Sequence, residues 1–196
     1  VKVSRQYTGN LSYSIGDFSL LKNVEKVADT IVETFDTIDI IIHGVGILIT
    51  NTQYTEEGLE KDFTVSYLSR FVFNETLFER RKITHLTKII NIAASGPKIP
   101  FFAQMEFDNI SEVKSRVGMK SHGQAQLAND LYTAFAATRY NVISIGYGPG
   151  SVDTNIRREI PKIIQLLMKP FFYFSIRKPS DVAKQFIDIL SLTNLE

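Results

Sequence analysis

The chain has 196 residues, enough for one domain with a substantial core. Apolar residues make up 44% and charged residues 22%, and 22 Lys+Arg against 21 Asp+Glu leave no global field for nucleic acid or an anionic membrane. The absence of Cys excludes a disulfide framework, thiolate zinc sites and a Cys nucleophile.

Secretory-signal features are absent from the opening residues, and no apolar run reaches the roughly 18 residues of a membrane span. The expectation is an intracellular chain forming a single domain over 1–196. Three sequons, beginning at Asn10, Asn74 and Asn109, read as chance matches in that setting. Without internal repeats, low-complexity segments or linkers, nothing divides the chain.

In chain order, Leu11 to Ile15 alternates apolar and polar before Gly16-Asp17 and predicts a short strand. Ser19 predicts a cap for a helix to about Thr34, with Leu20, Val24, Val27, Ala28 and Ile31 on one stripe. Ile38 to Ile42 is a branched apolar run, expected to be a parallel strand buried on both faces. Thr55 with Glu56 and Glu57 predicts the start of a long helix to about Arg80.

Lys88 to Ile92 predicts the next buried strand, and an excursion through Pro97 and Pro100 leads to a helix over about Gly118 to Ala137. Asn141 to Ile145 predicts a further strand, ending at a Gly-Tyr-Gly-Pro-Gly turn. A last amphipathic helix begins near Ser180, with Val182, Phe186, Ile189 and Leu190 on its buried side. Strand and helix alternate with helix-length crossovers, which predicts a doubly wound parallel sheet with helices on both faces.

Several segments in this order resemble the short-chain dehydrogenase/reductase family, in particular its retinol-dehydrogenase-like members. They are Asp17, Ile38 to Ile47 with its His43-Gly44-Val45-Gly46, Thr55 to Leu68, Lys88 to Gly96, Phe107 to Ile110, Lys120 to Asn129, Pro149 to Thr154, and Lys169 to Ala183, spanning about 11–192. The resemblance implies a Rossmann-like domain and NAD(P)-dependent alcohol or carbonyl chemistry. It implies cofactor contacts at Asp17, Gly46, Pro149, Gly150 and Thr154.

The same resemblance marks the catalytic positions, where this chain departs from the family. Ser66 stands at the Asn position, Ala94 at Ser, His122 at Tyr and Gln126 at Lys. Residues 122 and 126 are one helical turn apart and share a face, so both changes fall where a proton relay acts. Ala94 lacks a hydroxyl and Gln126 lacks a charge, while Ser95 points to the opposite face of its strand. The family's Gly-rich phosphate turn has no counterpart before Asp17, and about six residues between Val1–Ser4 and Leu11 are too few for a parallel crossover.

The first reading is therefore a catalytically degenerate member, a structural or accessory subunit with no cofactor expected. Missing sequence or a partner would cover the sheet centre. A second reading keeps NAD(P) and uses His122 as acid, and a third is an apolar-ligand-binding module. No metal site is expected, since His43 and His85 are isolated and His85 reads as surface. The apolar stretch Ile163 to Phe174, flanked by Arg157-Arg158 and Arg177-Lys178, is read as a lid over its own cleft, a contact for other protein subunits, or a membrane-surface contact.

Overall fold

The computed structural model describes residues 10–92, 105, 107, 119–152, 154, 163 and 176–191. Their elements run α1 (Leu21–Thr34), β1 (Ile40–His43), α2 (Lys61–Phe63), a π-helical turn (Thr64–Leu68), α3 (Ser69–Glu79), β2 (Lys88–Ile92), α4 (Met119–Tyr140), β3 (Ile143–Tyr147) and α5 (Pro179–Ser191). The three strands form a parallel sheet in the order β1-β2-β3. This is the expected α/β architecture, with three strands among the described residues.

Register explains how the sheet divides its two faces. Ile41 pairs with Ile89 and Ile89 with Ser144, while His43 pairs with Asn91 and Asn91 with Gly146. Side chains alternate along a strand, so these residues share one face. Ile41 and Ile89 on that face pack with Ala28 of α1, Leu77 of α3, and Tyr132 and Ala136 of α4. The opposite face carries Tyr147, whose ring meets Phe186 of α5 at 5.5 Å. Helices thus lie on both faces, as the alternating pattern predicts.

The strand from Ile38 is not buried on both faces. Ile40 and Ile42 are 41% and 49% exposed, whereas Ile41 and His43 are buried. β1 is an outer strand, and no described element covers its second face as α5 covers that of β3. The expected strand at Leu11 to Ile15 is also absent: these residues pair with no strand. Ser12, Tyr13 and Ser14 instead line a cavity of about 580 Å³ together with α1 and β1. At the end of this stretch a Cβ on Gly16 would lie 2.7 Å from Val27 Cγ2, so glycine permits the close approach to α1.

The helix beginnings differ from expectation for local reasons. The Asp17 carboxylate accepts the Ser19 N–H at 2.9 Å, which leaves Leu20 as the N-cap residue. The exposed amides of α1 are met from a distance: Glu57 accepts from Leu21 N at 2.8 Å, placing a negative charge at the helix N-terminus. Thr55 opens a turn rather than the long helix, with Gly58 at φ +76°. The helix starts at Lys61, where Glu60 accepts from Phe63 N at 2.7 Å.

On α5, Val182, Phe186, Ile189 and Leu190 are its partly covered residues, and none is fully buried. His85 is exposed, as read from its polar surroundings. Ala94 and Ser95 lie outside the described residues, as does the stretch Ile163 to Phe174 apart from the exposed Ile163.

A polar row threads the main core. His43 Nε2 lies 2.9 Å from Asn74 Oδ1, Asn74 Nδ2 donates to Tyr132 at 2.8 Å, and the Tyr132 and Tyr140 hydroxyls are 2.9 Å apart. Tyr140 donates onward to Glu75 at 2.8 Å. Asn74, the middle sequon asparagine, is fully buried in this row. Burial raises the pKa of both tyrosines.

Two predictions follow from the core. Leu77→Ala should destabilise by about 2–5 kcal/mol, whereas Leu86→Ala at a 73% exposed position should stay within about 0.5 kcal/mol, both read by chemical denaturation. Burial, with the nearby Arg70 charge, pushes His43 down to about 3. The unfolded chain then binds more protons below the ordinary histidine pKa, so stability falls as pH drops from about 6.5 toward 3, by up to about 1.4 kcal/mol per unit. His43→Gln, which can still donate to Asn74, should flatten that part of the stability–pH curve.

Candidate functional site

The sheet is parallel, so all three strands end on one side, the side where α/β sheets present ligand sites. Gly46 follows β1 there, and Pro149 and Gly150 follow β3. Ser66 sits in the π-helical turn and His122 and Gln126 in the first turns of α4. The turn carries an extra residue: Ser69 N bonds Thr64 O five residues back. Such bulges recur at functional sites, where they rotate the residues around them.

Three of the four positions singled out from the sequence meet in one buried layer. His122 Nδ1 is 3.0 Å from Asp62 Oδ1, and His122 Nε2 is 3.2 Å from Gln126 Nε2. The Ser66 hydroxyl donates to Asp62 Oδ1 at 2.9 Å and accepts from Ile47 N at 3.2 Å. Asp62 also accepts from Ile49 N at 3.2 Å. Asp62 is fully buried, so it has exchanged water for these donors.

Asp62 was not picked out by the sequence reading, although it lies four residues before Ser66, the spacing of one helix face. Next to it, Glu60 accepts a hydrogen bond from the Ser121 hydroxyl as well as capping α2. Two adjacent pairs, Glu60–Ser121 and Asp62–His122, therefore fasten α2 to the start of α4. Among the described residues, the bonded groups of this layer are one imidazole, two carboxylates, two hydroxyls and an amide.

Arg70 supports the layer from beneath. Its Nη1 donates to Ile92 O at 2.9 Å and Asn129 Oδ1 at 3.3 Å, and its Nη2 to Val45 O at 2.7 Å. Asn129 Nδ2 donates in turn to Ser66 O at 2.8 Å. A Cβ on Gly46 would sit 3.7 Å from Ser66 Oγ and 3.8 Å from Arg70 Nη2, ordinary contact distances. Burial lowers Arg70 to about 10, so it remains charged near neutrality.

The remaining positions taken from the resemblance lie apart from this layer or serve local structure. The Ser19 backbone N–H, then its hydroxyl, holds the Asp17 carboxyl below its ordinary pKa. The Pro149 carbonyl accepts from Arg177 Nη1 at 3.4 Å, and Gly150 turns the chain at φ +72°. Thr154 is exposed. Among the described residues no cluster of metal-ligating groups occurs.

Replacing Arg70 should reveal how much the site depends on it. Arg70→Met strips Val45 O, Ile92 O and Asn129 Oδ1 of their shared donor, at an expected cost of about 2–4 kcal/mol. Arg70→Lys should recover only part of that in urea denaturation, because one ammonium lacks the planar fork.

No family model matches the chain. It is 27% identical over 170 residues to an Emericella variicolor oxidoreductase, andH, covering 83% of this chain and 49% of that protein. It is 28% identical over 159 residues to human retinol dehydrogenase 14, covering 80% of this chain and 46% of that protein. The chain spans about half the length of these curated relatives.

Among solved structures, a short-chain dehydrogenase from Streptomyces avermitilis superposes with TM-score 0.67 at 13% identity, covering all of this chain and 71% of that one. A short chain dehydrogenase family protein from Francisella tularensis gives 0.64 at 18% identity, covering 94% and 76%. These structures share the fold, and the curated relatives add sequence kinship. The chain is thus similar in fold to short-chain dehydrogenases and in sequence to curated oxidoreductases, retinol dehydrogenases among them.

Proposed function

We propose that this is a catalytically degenerate short-chain dehydrogenase/reductase domain, one that serves as a structural or accessory subunit instead of transferring hydride. The observation that carries the reading is the occupation of His122: both ring nitrogens are bonded within the chain, to Asp62 and Gln126. A group already bonded on both sides must give up a partner before it can exchange a proton with a substrate. Ser66 is likewise committed to Asp62 and Ile47.

The residues fit a nicotinamide dinucleotide poorly. At the family's lysine position Gln126 aims its amide at His122 and brings no positive charge. Asp17 closes the turn before α1, and the Pro149 carbonyl is held by Arg177.

An accessory role is supported by the outer edge of β1. Among the described residues it has no strand partner, and it borders the 580 Å³ cavity with Ile40 and Ile42 exposed. A strand edge of this kind accepts further polypeptide. The expected contact through Ile163 to Phe174 falls outside the described residues apart from exposed Ile163, and remains part of the proposal.

Fluorescence titration with NADH and NADPH, followed by assay on carbonyl substrates, tests the reading. The expected outcome is no saturable binding of either nucleotide and no turnover. Micromolar binding accompanied by carbonyl reduction would overturn it.

A further inference from the structure

The family resemblance assigns a role to position 122 and none to position 62. Asp62 nevertheless has the most constrained carboxylate of the site: fully buried, with donors from His122, Ser66 and Ile49 around it. An ionised carboxylate only accepts hydrogen bonds, so the His122 nitrogen facing it must carry hydrogen. In a neutral ring the other nitrogen, Nε2, then holds the lone pair. The Gln126 amide nitrogen, 3.2 Å away, is the donor placed against that lone pair.

Among the described residues, Asp62 is the one charged group bonded to the ring. Glu60 is bonded to Phe63 N and Ser121, Lys61 reaches Gln53, and Arg70 is spent on Val45, Ile92 and Asn129. Glu75 of α3 is bonded to Arg139 and Tyr140 at the far end of α4. Lys88 opens β2, and Tyr67 and Tyr147 bring phenol groups from the π-helical turn and β3. The partially buried His122 ring therefore takes its orientation from Asp62 on one side and Gln126 on the other.

We infer that Asp62 is the positioning residue of His122, fixing the ring as the Nδ1–H tautomer and leaving Nε2 as an acceptor plugged by the Gln126 amide. The consequence is directional. A hydroxyl group that displaced the Gln126 amide would meet a lone pair, so the neutral ring faces the pocket as a base. This reverses the acid role considered for His122 from the sequence. The inference goes beyond the reading of the domain as degenerate and does not require nucleotide binding or turnover.

Nitrogen-15 NMR of the histidine rings at neutral pH tests it in the full chain. The chain has 3 histidines, and the His122 signals are identified by their loss in His122→Gln. The expected spectrum has a pyrrole-type Nδ1 and a pyridine-type Nε2. Asp62→Ala, shown to be folded by circular dichroism, should release the ring to the Nε2–H tautomer that a free histidine side chain favours. Gln126→Leu should leave the Nδ1–H tautomer in place, because the carboxylate sets it.

An Nε2–H ring in the unaltered chain would overturn the inference. So would an unchanged tautomer in folded Asp62→Ala, or loss of the Nδ1–H form in Gln126→Leu. Should Asp62→Ala fail to fold, the unaltered chain and Gln126→Leu still decide it. Nucleotide titration is a separate readout, so the two proposals fail independently.

Discussion

The arrangement depends on one buried cation. Arg70 has no carboxylate partner among the described residues; it is held by two backbone carbonyls and an asparagine amide, from the loop after β1, the end of β2, and α4. Removing a guanidinium from water is expensive unless its hydrogens find acceptors. These acceptors belong to three different elements, so the requirement to satisfy Arg70 sets their relative positions. Its Nε remains without a partner among the described residues, a residual cost at a crowded point.

The two carboxylates above it complete the same logic. Glu60 and Asp62 are buried because each replaces water with donors from several elements, Glu60 at the cap of α2 and at Ser121, Asp62 at Ile49, Ser66 and His122. The π-helical turn begins two residues beyond Asp62 and contains Ser66. A hydroxyl, an imidazole and a carboxylate then meet in one layer. The chemistry of the pocket is thus set by polar satisfaction, with apolar packing supplied by Phe63, Ala125 and Ala128.

The sheet and its helices were legible because apolar periodicity reports directly on burial. Lys88 to Ile92 is a strand as its branched residues predict, and Val24 and Ala28 of the α1 stripe are fully buried. The boundaries were less legible, since they depend on partners distant in sequence. Glu57, far along the chain, serves the amides that Ser19 was expected to cap. Leu11 to Ile15 has the alternation of a strand, but alternation does not supply a neighbour to pair with. Positions 66, 122 and 126 could be read together from the family pattern, whereas the burial of Asp62 could not. An aspartate on a helix reads as surface until the donors around it are known.

The unequal strands have a consequence for local stability. β2 is hydrogen-bonded on both sides, whereas β1 is an outer strand of four residues with no strand partner on its other side among the described residues. Amide protons on that side can exchange with solvent without the sheet opening, while those of β2 require a larger disruption. The sheet is therefore graded, with slow exchange at its centre and fast exchange where the cavity lies. Anything that settles along β1 should erase that gradient, slowing exchange at residues 40–43 before it alters the core.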